Sequence, residues 1–138
     1  THVKSFTREL PRALCQWPRT RMVVVPSQQE TFSNIPLEVA LWAHQQGPVV
    51  VASRVGGFID QIEHGVTGFF IDPLSWASMG QMLQQVLSLS EEQRAGIRRR
   101  AYEKVVRLYD FAQNFPVMLH WFWGEHNPQA AATGSTQA

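Results

Sequence analysis

Two short runs of β-branched residues constrain this chain more than anything else in it. Met22-Val23-Val24-Val25 ends at Pro26-Ser27, and Val49-Val50-Val51-Ala52 follows Gly47-Pro48. A continuous apolar run of this length, bounded by turn formers, predicts a strand buried on both faces. Between the two runs the pattern changes period. Pro36 fits the first turn of a helix that starts at Asn34, and Leu37, Ala40 and Leu41 recur at helical spacing. That helix is expected to end near Gly47. A third short strand, Thr67 to Ile71, closes at Asp72-Pro73.

Helical patterns fill the rest. One covers Phe6 to Gln16. Another covers Phe58 to His64, with Gly65 as its expected C-cap. Ser75 to Leu89 is amphipathic, with Met79, Met82, Leu83, Val86 and Leu87 on one side. Ser90-Glu91-Glu92-Gln93 has capping-box spacing and opens a helix that runs to about Tyr109. Phe111 to Trp123 reads as a last helix rich in aromatics, and residues 125–138 as a disordered tail. Helices alternating with strands over short connections predict an α/β fold, a Rossmann-like parallel sheet with flanking helices and right-handed crossovers. Three strands are few for a doubly wound domain, which commonly has five or six. The chain also opens without Met on a polar stretch. Residues 1–124 are therefore expected to be the later half of such a domain.

Composition removes several classes of function. Of 138 residues, 44% are apolar and 17% charged, which excludes a wholly disordered chain. A net charge of +1 argues against a dedicated nucleic-acid binder. The single cysteine, Cys15, excludes an internal disulfide and a multi-cysteine metal site, and a buried apolar thiol is the expectation for it. The five histidines show no metal-ligand spacing, and His44 and His64 are expected at the surface or at helix ends. No stretch reaches the roughly 18 to 20 apolar residues of a membrane span, and the first residues lack the apolar core of a signal peptide.

Ligands in open α/β sheets bind beyond the carboxyl ends of the strands. Three loops qualify: Pro26 to Ser33, Ser53 to Gly57, and Asp72 to Ser75. The first carries Glu30, and the helix after it carries Glu38, an E-x7-E spacing. Helical side chains lean toward the N-terminus, so Glu38 can face the same crevice as Glu30. Between them, Thr31-Phe32-Ser33-Asn34-Ile35 places backbone N–H groups at a helix start, where anions such as phosphate bind. Two acceptors beside an anion site suit a ligand with phosphate and hydroxyl groups, such as a nucleotide sugar. The plainer alternative is an acid that stabilises a helix N-terminus by about 0.3–1 kcal/mol with no ligand. The second loop holds Gly56-Gly57, which permits a tight turn and close approach to a ligand, or simply a turn.

In register, these motifs carry a resemblance. Val24-Val25-Pro26-Ser27, Glu30-Thr31-Phe32-Ser33 and Leu37-Glu38 resemble V-x-P-S-x-x-E-G-F-G-x-x-x-L-E-A of retaining GT-B glycosyltransferases, the glycosyltransferase family 4 or glycosyl transferases group 1 type. Pro48 to Gly57 and Gly65 to Pro73 continue the match, which covers about Met22 to Phe111. The resemblance implies part of the C-terminal, donor-binding domain of a GT-B enzyme. That enzyme would transfer a hexose from a nucleoside-diphosphate sugar to an acceptor, with no metal or other cofactor. Glu30 would contact hydroxyls of the donor sugar. Thr31, Phe32, Ser33, Asn34 and Ile35 would line the sugar and diphosphate, and Glu38 would accept from the ribose, with Gly56 and Gly57 as further candidates. No catalytic residue is assigned within this segment.

Departures accompany the match. Thr31 and Ser33 stand where the family has glycines. About three extra residues lie between Glu38 and Pro48 and are expected to lengthen the helix end. The family's upstream Arg and Lys pair, which neutralises the leaving diphosphate, has no counterpart, and neither does the N-terminal acceptor domain. The segment alone is expected to be inactive. Arg98-Arg99-Arg100 with Lys104 and Arg107 reads either as a solvated face or as a contact for anionic lipid. Trp121-Phe122-Trp123 reads either as core or as a surface for the missing domain or for self-association. The implied location is cytoplasmic, with peripheral membrane contact as a variant. Two rivals stand beside the transferase: a sugar-nucleotide epimerase of the same architecture, and a non-catalytic interaction module.

Overall fold

The computed structural model describes residues 7–110 and 114. The chain divides into two compact units, 1–105 and 106–138, and only residues 106–110 and 114 of the second are described. The expected Phe111 to Trp123 helix, apart from Asn114, and the 125–138 tail therefore lie outside the described residues.

Eight elements follow in order: α1 (Glu9–Gln16), β1 (Met22–Val25), α2 (Asn34–Trp42), β2 (Val49–Ser53), α3 (Phe58–Gln61), β3 (Phe69–Ile71), α4 (Trp76–Ser88) and α5 (Glu91–Tyr109). The strands form one parallel sheet in the order β1-β2-β3. Val23 pairs with Val50 and Val25 with Ala52, while Val51 pairs with Phe69 and Ser53 with Ile71. The α/β architecture expected from the alternating pattern is the one observed.

Alternation along β2 separates two cores. Val50 and Ala52 point to one face, where Cys15, Val39, Ala43, Phe58 and Ile62 cover them. Val49 and Val51 point to the other, against Ile71, Val86 and Ile97. All five residues of β2 are buried, as a central strand with two covered faces requires. β1 differs from the expectation. Val25 is buried, but Val24 keeps 36% of its surface exposed, because β1 is an edge of the described sheet.

Local signals explain the element boundaries. The box before α5 forms as its spacing predicts: Ser90 N–H donates to Gln93 Oε1 at 2.8 Å and Gln93 N–H to Ser90 Oγ at 3.2 Å. Ser75 Oγ caps α4 by accepting from Ser78 N–H. On α4, Met79, Met82 and Leu83 pack on the second core as expected, but Leu87 is exposed.

Two predicted helix ends move. α2 stops at Trp42, and the extra residues form an irregular turn instead of lengthening the helix. Gly47 explains the turn: its φ is +111°, and a Cβ there would sit 1.9 Å from the Cys15 carbonyl oxygen. Gln46 Nε2 also donates to Gln16 O at 2.7 Å, which fixes the turn against the end of α1. α3 stops at Gln61, so Gly65 is not its C-cap. With φ of +75°, Gly65 instead makes a tight turn in which its N–H donates to Gly68 O at 2.8 Å.

The basic cluster of α5 does not form one free face. Arg98 is 3% exposed and donates to Gly47 O at 3.1 Å and to Glu91 Oε1 at 2.6 Å. Arg94 joins Glu91 at 2.9 Å and also reaches the Leu89 carbonyl. Arg100 donates to Val66 O, and Lys104 lies 3.1 Å from Glu63. Arg99 faces Glu103 at 3.9 Å.

Candidate functional site

Parallel strands end at the same side of a sheet, so the loops after β1, β2 and β3 meet there. Together they line a cleft of about 960 Å³. Gln28 and Gln29 come from the first loop, Arg54 and Val55 from the second, and Asp72, Pro73 and Leu74 from the third. Asp72 Oδ1 accepts from Leu74 N–H at 2.9 Å, which shapes that third loop. All three loops expected at the site are present, although Glu30, Glu38 and the glycine pair are not among the residues lining this cleft.

The segment from Glu30 to Ile35 leads into α2. Thr31, Phe32, Asn34 and Ile35 are exposed, Glu30 is half-buried, and Ser33 is buried. Ser33 is the N-cap of α2, with an extended backbone, and its hydroxyl accepts from Ile35 N–H at 3.4 Å. That bond is long, and the first-turn N–H groups of a helix have no acceptor within it. The first-turn donors of α2 are Asn34 N–H and, behind its long cap bond, Ile35 N–H, because Pro36 carries none. Glu38 lies one turn further on, half-buried, with Oε1 3.8 Å from the Arg8 guanidinium.

Gly56 and Gly57 make a close backbone approach to the first loop. A Cβ on Gly56 would lie 1.6 Å from Glu30 O, and one on Gly57 would lie 2.2 Å from Thr31 O. The backbone these glycines approach is that of the first loop. Gly57 N–H donates to Glu30 O at 3.2 Å. Four residues on, the Gln61 amide donates through Nε2 to Ser33 O at 2.8 Å, in a buried position. Residues 30–33 are therefore tied at both ends to α3. Gln61 escaped the sequence reading, although a glutamine between the apolar Phe58 and Ile62 of a short helix was a signal of inward-facing polarity. Arg54 and Asp72 sit in loops the sequence singles out but carry no motif of their own, whereas Arg8 escaped that reading because only the assembled fold brings it to Glu38.

Cys15 is buried, as expected. Burial raises its thiol pKa above the ordinary value, and the negative charge of Glu38 adds to the rise. His44 and His64 are exposed. His44 Nδ1 lies 2.8 Å from Leu41 O, and His64 Nδ1 accepts from Phe70 N–H at 3.0 Å. Among the described residues, no three His, Cys, Asp or Glu side chains converge as metal ligands, and no helix is long and apolar enough to cross a membrane.

Three parallel strands with flanking helices and a cleft at the carboxyl ends of the strands define an α/β domain of the Rossmann-like class. The chain belongs to the glycosyl transferases group 1 family, whose model matches residues 4–104. Among similar curated proteins are two named D-inositol 3-phosphate glycosyltransferase. The one from Corynebacterium urealyticum is 29% identical over 119 residues, which is 80% of this chain and 27% of that protein. The one from Thermobispora bispora is 32% identical over 93 residues, 64% of this chain and 21% of that protein. The chain thus spans less than a third of the length of these relatives.

Solved structures agree on the fold. HepE of Anabaena, solved in complex with UDP, superposes with a TM-score of 0.67 at 21% identity, over 83% of this chain and 30% of that one. The C-terminal domain of a group 1 glycosyl transferase from Francisella tularensis superposes with a TM-score of 0.60 at 22% identity. That match covers 79% of this chain and 52% of the other. The architecture is that of GT-B glycosyltransferases.

Proposed function

We propose that the chain forms the later half of the donor-binding domain of a retaining glycosyltransferase, which transfers a hexose from a nucleoside-diphosphate sugar to an acceptor. One observation carries the reading: a glutamate-flanked loop, ending in the Asn34 and Ile35 N–H groups, runs into the N-terminus of α2 and is anchored to α3 from both ends. The first-turn N–H groups take the diphosphate, where the helix end favours negative charge. Glu30 accepts from hydroxyls of the donor sugar, and residues 31–35 line the sugar and phosphates. Glu38 accepts from the ribose; its ion pair with Arg8 is long and leaves lone pairs for hydroxyl donors.

Neither glutamate is the nucleophile, and the chemistry proposed uses no metal ion. The cation that stabilises the leaving diphosphate and the groups that hold the acceptor come from other parts of the protein. The protein works in the cytoplasm. HepE has been solved with UDP and with UDP-glucose, which makes uridine diphosphate sugars the first donors to test. The names of the curated relatives make D-inositol 3-phosphate the first acceptor to assay.

The test is calorimetric titration of the full-length protein with UDP-, GDP- and ADP-sugars. Binding of one of them, lost in Glu30→Ala and Glu38→Ala, is the expected result. A folded protein that binds none, or variants that bind like wild type, would overturn the reading.

A further inference from the structure

We infer that Gln61 is a positioning residue for the donor loop, an inference that rests on the donor-site reading above. Its amide is buried, and only half of it is used. Nε2 donates to Ser33 O at 2.8 Å, while Oε1 is buried without a hydrogen-bond partner among the described residues. A buried acceptor left unmade is unfavourable for folding. The carbonyl it serves does not depend on it, because the N-cap carbonyl already receives the first bond within the helix. An apolar side chain of similar length at position 61 would remove the orphaned oxygen and leave Ser33 O with one partner. Fold stability alone therefore gives this glutamine little advantage.

The position of the loop is another matter. α3 is a single turn, and its two ends hold the two ends of residues 30–33, through Gly57 N–H to Glu30 O and through Gln61 to Ser33 O. Without Gln61 the loop loses its tie to α3 at Ser33. The N-cap of α2, with the backbone donors that follow it, is then free to shift against Glu30. A ligand that needs the carboxylate and the helix start together must restore their alignment when it binds, and that ordering weakens affinity.

The experiment compares Gln61→Met with Gln46→Met in the full-length protein. Gln46 controls for the loss of a glutamine bond to a distant carbonyl, since its amide, at an exposed position, donates to Gln16 O away from this loop. UDP-glucose and UDP titrations, thermal unfolding and the ¹H–¹⁵N spectrum are recorded for each. Gln61→Met is expected to unfold at or above the wild-type temperature while the Kd for UDP-glucose rises about 3- to 10-fold, the loss of one hydrogen bond. The Ile35 and Leu37 amide signals should shift or broaden. Gln46→Met should leave the Kd unchanged.

A Gln61→Met protein that unfolds earlier yet binds UDP-glucose like wild type would overturn the inference and make Gln61 a fold residue. If the variant does not fold, the wild-type spectrum decides. The Gln61 side-chain amide signals should move on adding UDP-glucose, and signals that stay fixed while the loop amides move would also overturn the inference. Wild-type protein that binds no nucleotide sugar, with the Gln61 amide signals unmoved, overturns both claims, but the donor-site reading then fails first, since that result needs no variant.

Discussion

Replacing Gly57 by alanine isolates the contact between the two loops. Gly57 has φ of −62° and ψ of −16°, a backbone that any residue adopts, so alanine carries no conformational strain there. By shortening the menu of the unfolded chain it should even stabilise, by about 0.4–1 kcal/mol. The opposing effect is steric. The new Cβ would lie 2.2 Å from Thr31 O, 3.0 Å from Thr31 C and 3.2 Å from Phe32 Cα. These are backbone atoms, which cannot rotate aside. To reach even 3.0 Å, the oxygen must retreat by about 0.8 Å. Overpacking of this kind costs about 1–3 kcal/mol. The net loss is up to about 2.6 kcal/mol and centres near 1.3, and that central value lowers Tm by roughly 5–10 °C in a domain of about 100 residues.

Function should suffer more than stability. A loop displaced by nearly 1 Å misaligns the donors at its end, and loss of one or two hydrogen bonds to the ligand raises the Kd for UDP-glucose about tenfold. Gly65→Ala supplies the comparison. At φ of +75° it forces a left-handed alanine, but its Cβ meets nothing within 4 Å. It should lose about 1–2 kcal/mol from backbone strain while binding the donor as wild type does. Differential scanning calorimetry and isothermal titration read both quantities. If Gly57→Ala keeps wild-type affinity, or if both variants weaken binding equally at equal stability loss, the loop-to-loop argument is wrong.

Two further outcomes follow from the titrating groups. Glu91 has its pKa lowered, chiefly by the hydrogen bond from Arg98 and then by Arg94. A depressed carboxylate contributes stability that is complete above the unfolded value of about 4.3 and fades as pH falls through the folded one. Thermal unfolding below about pH 4.3 should therefore show a falling Tm that is flatter in Glu91→Gln. Cys15 has its pKa raised, first by burial and second by Glu38, so its thiol stays protonated near neutrality. Iodoacetamide at pH 8 should label it slowly in the native protein and quickly in guanidinium. Glu38→Gln should speed native labelling only slightly, and a large acceleration would show that charge, not burial, protects the thiol.

The parts of the fold written in local chemistry were legible. Val49 to Ala52 reads as a buried strand because its neighbours are turn formers, and Ser90 and Gln93 form their reciprocal cap from spacing alone. Those written in tertiary contacts were not. Val24 has the same residue type as Val51, yet one is exposed and the other fully buried, because only strand order separates edge from centre. Arg98 reads as a surface cation until Gly47, 51 positions earlier, is brought beneath it. The site shows the same division. Its three loops follow from motif order, whereas the partners of Gly56, Gly57 and Gln61 become visible only when α3 is laid beside the first loop.

That division bears on the two positions where family glycines are replaced. Thr31 is exposed, so its side chain points away from the contact with Gly57 while its carbonyl supplies that contact. Ser33 is buried and turns the replacement to use as a helix cap, with an oxygen that glycine lacks. At 3.4 Å its bond to Ile35 N–H is weak enough for a charged oxygen to displace, since bonds to ionised acceptors are shorter and stronger. The flexibility that glycine would give the first loop is thus reduced here, and the room it would give is supplied from the second loop by Gly56 and Gly57. A loop that is less permissive in itself depends more on its neighbour, which is why the anchor at Gln61 matters in this chain.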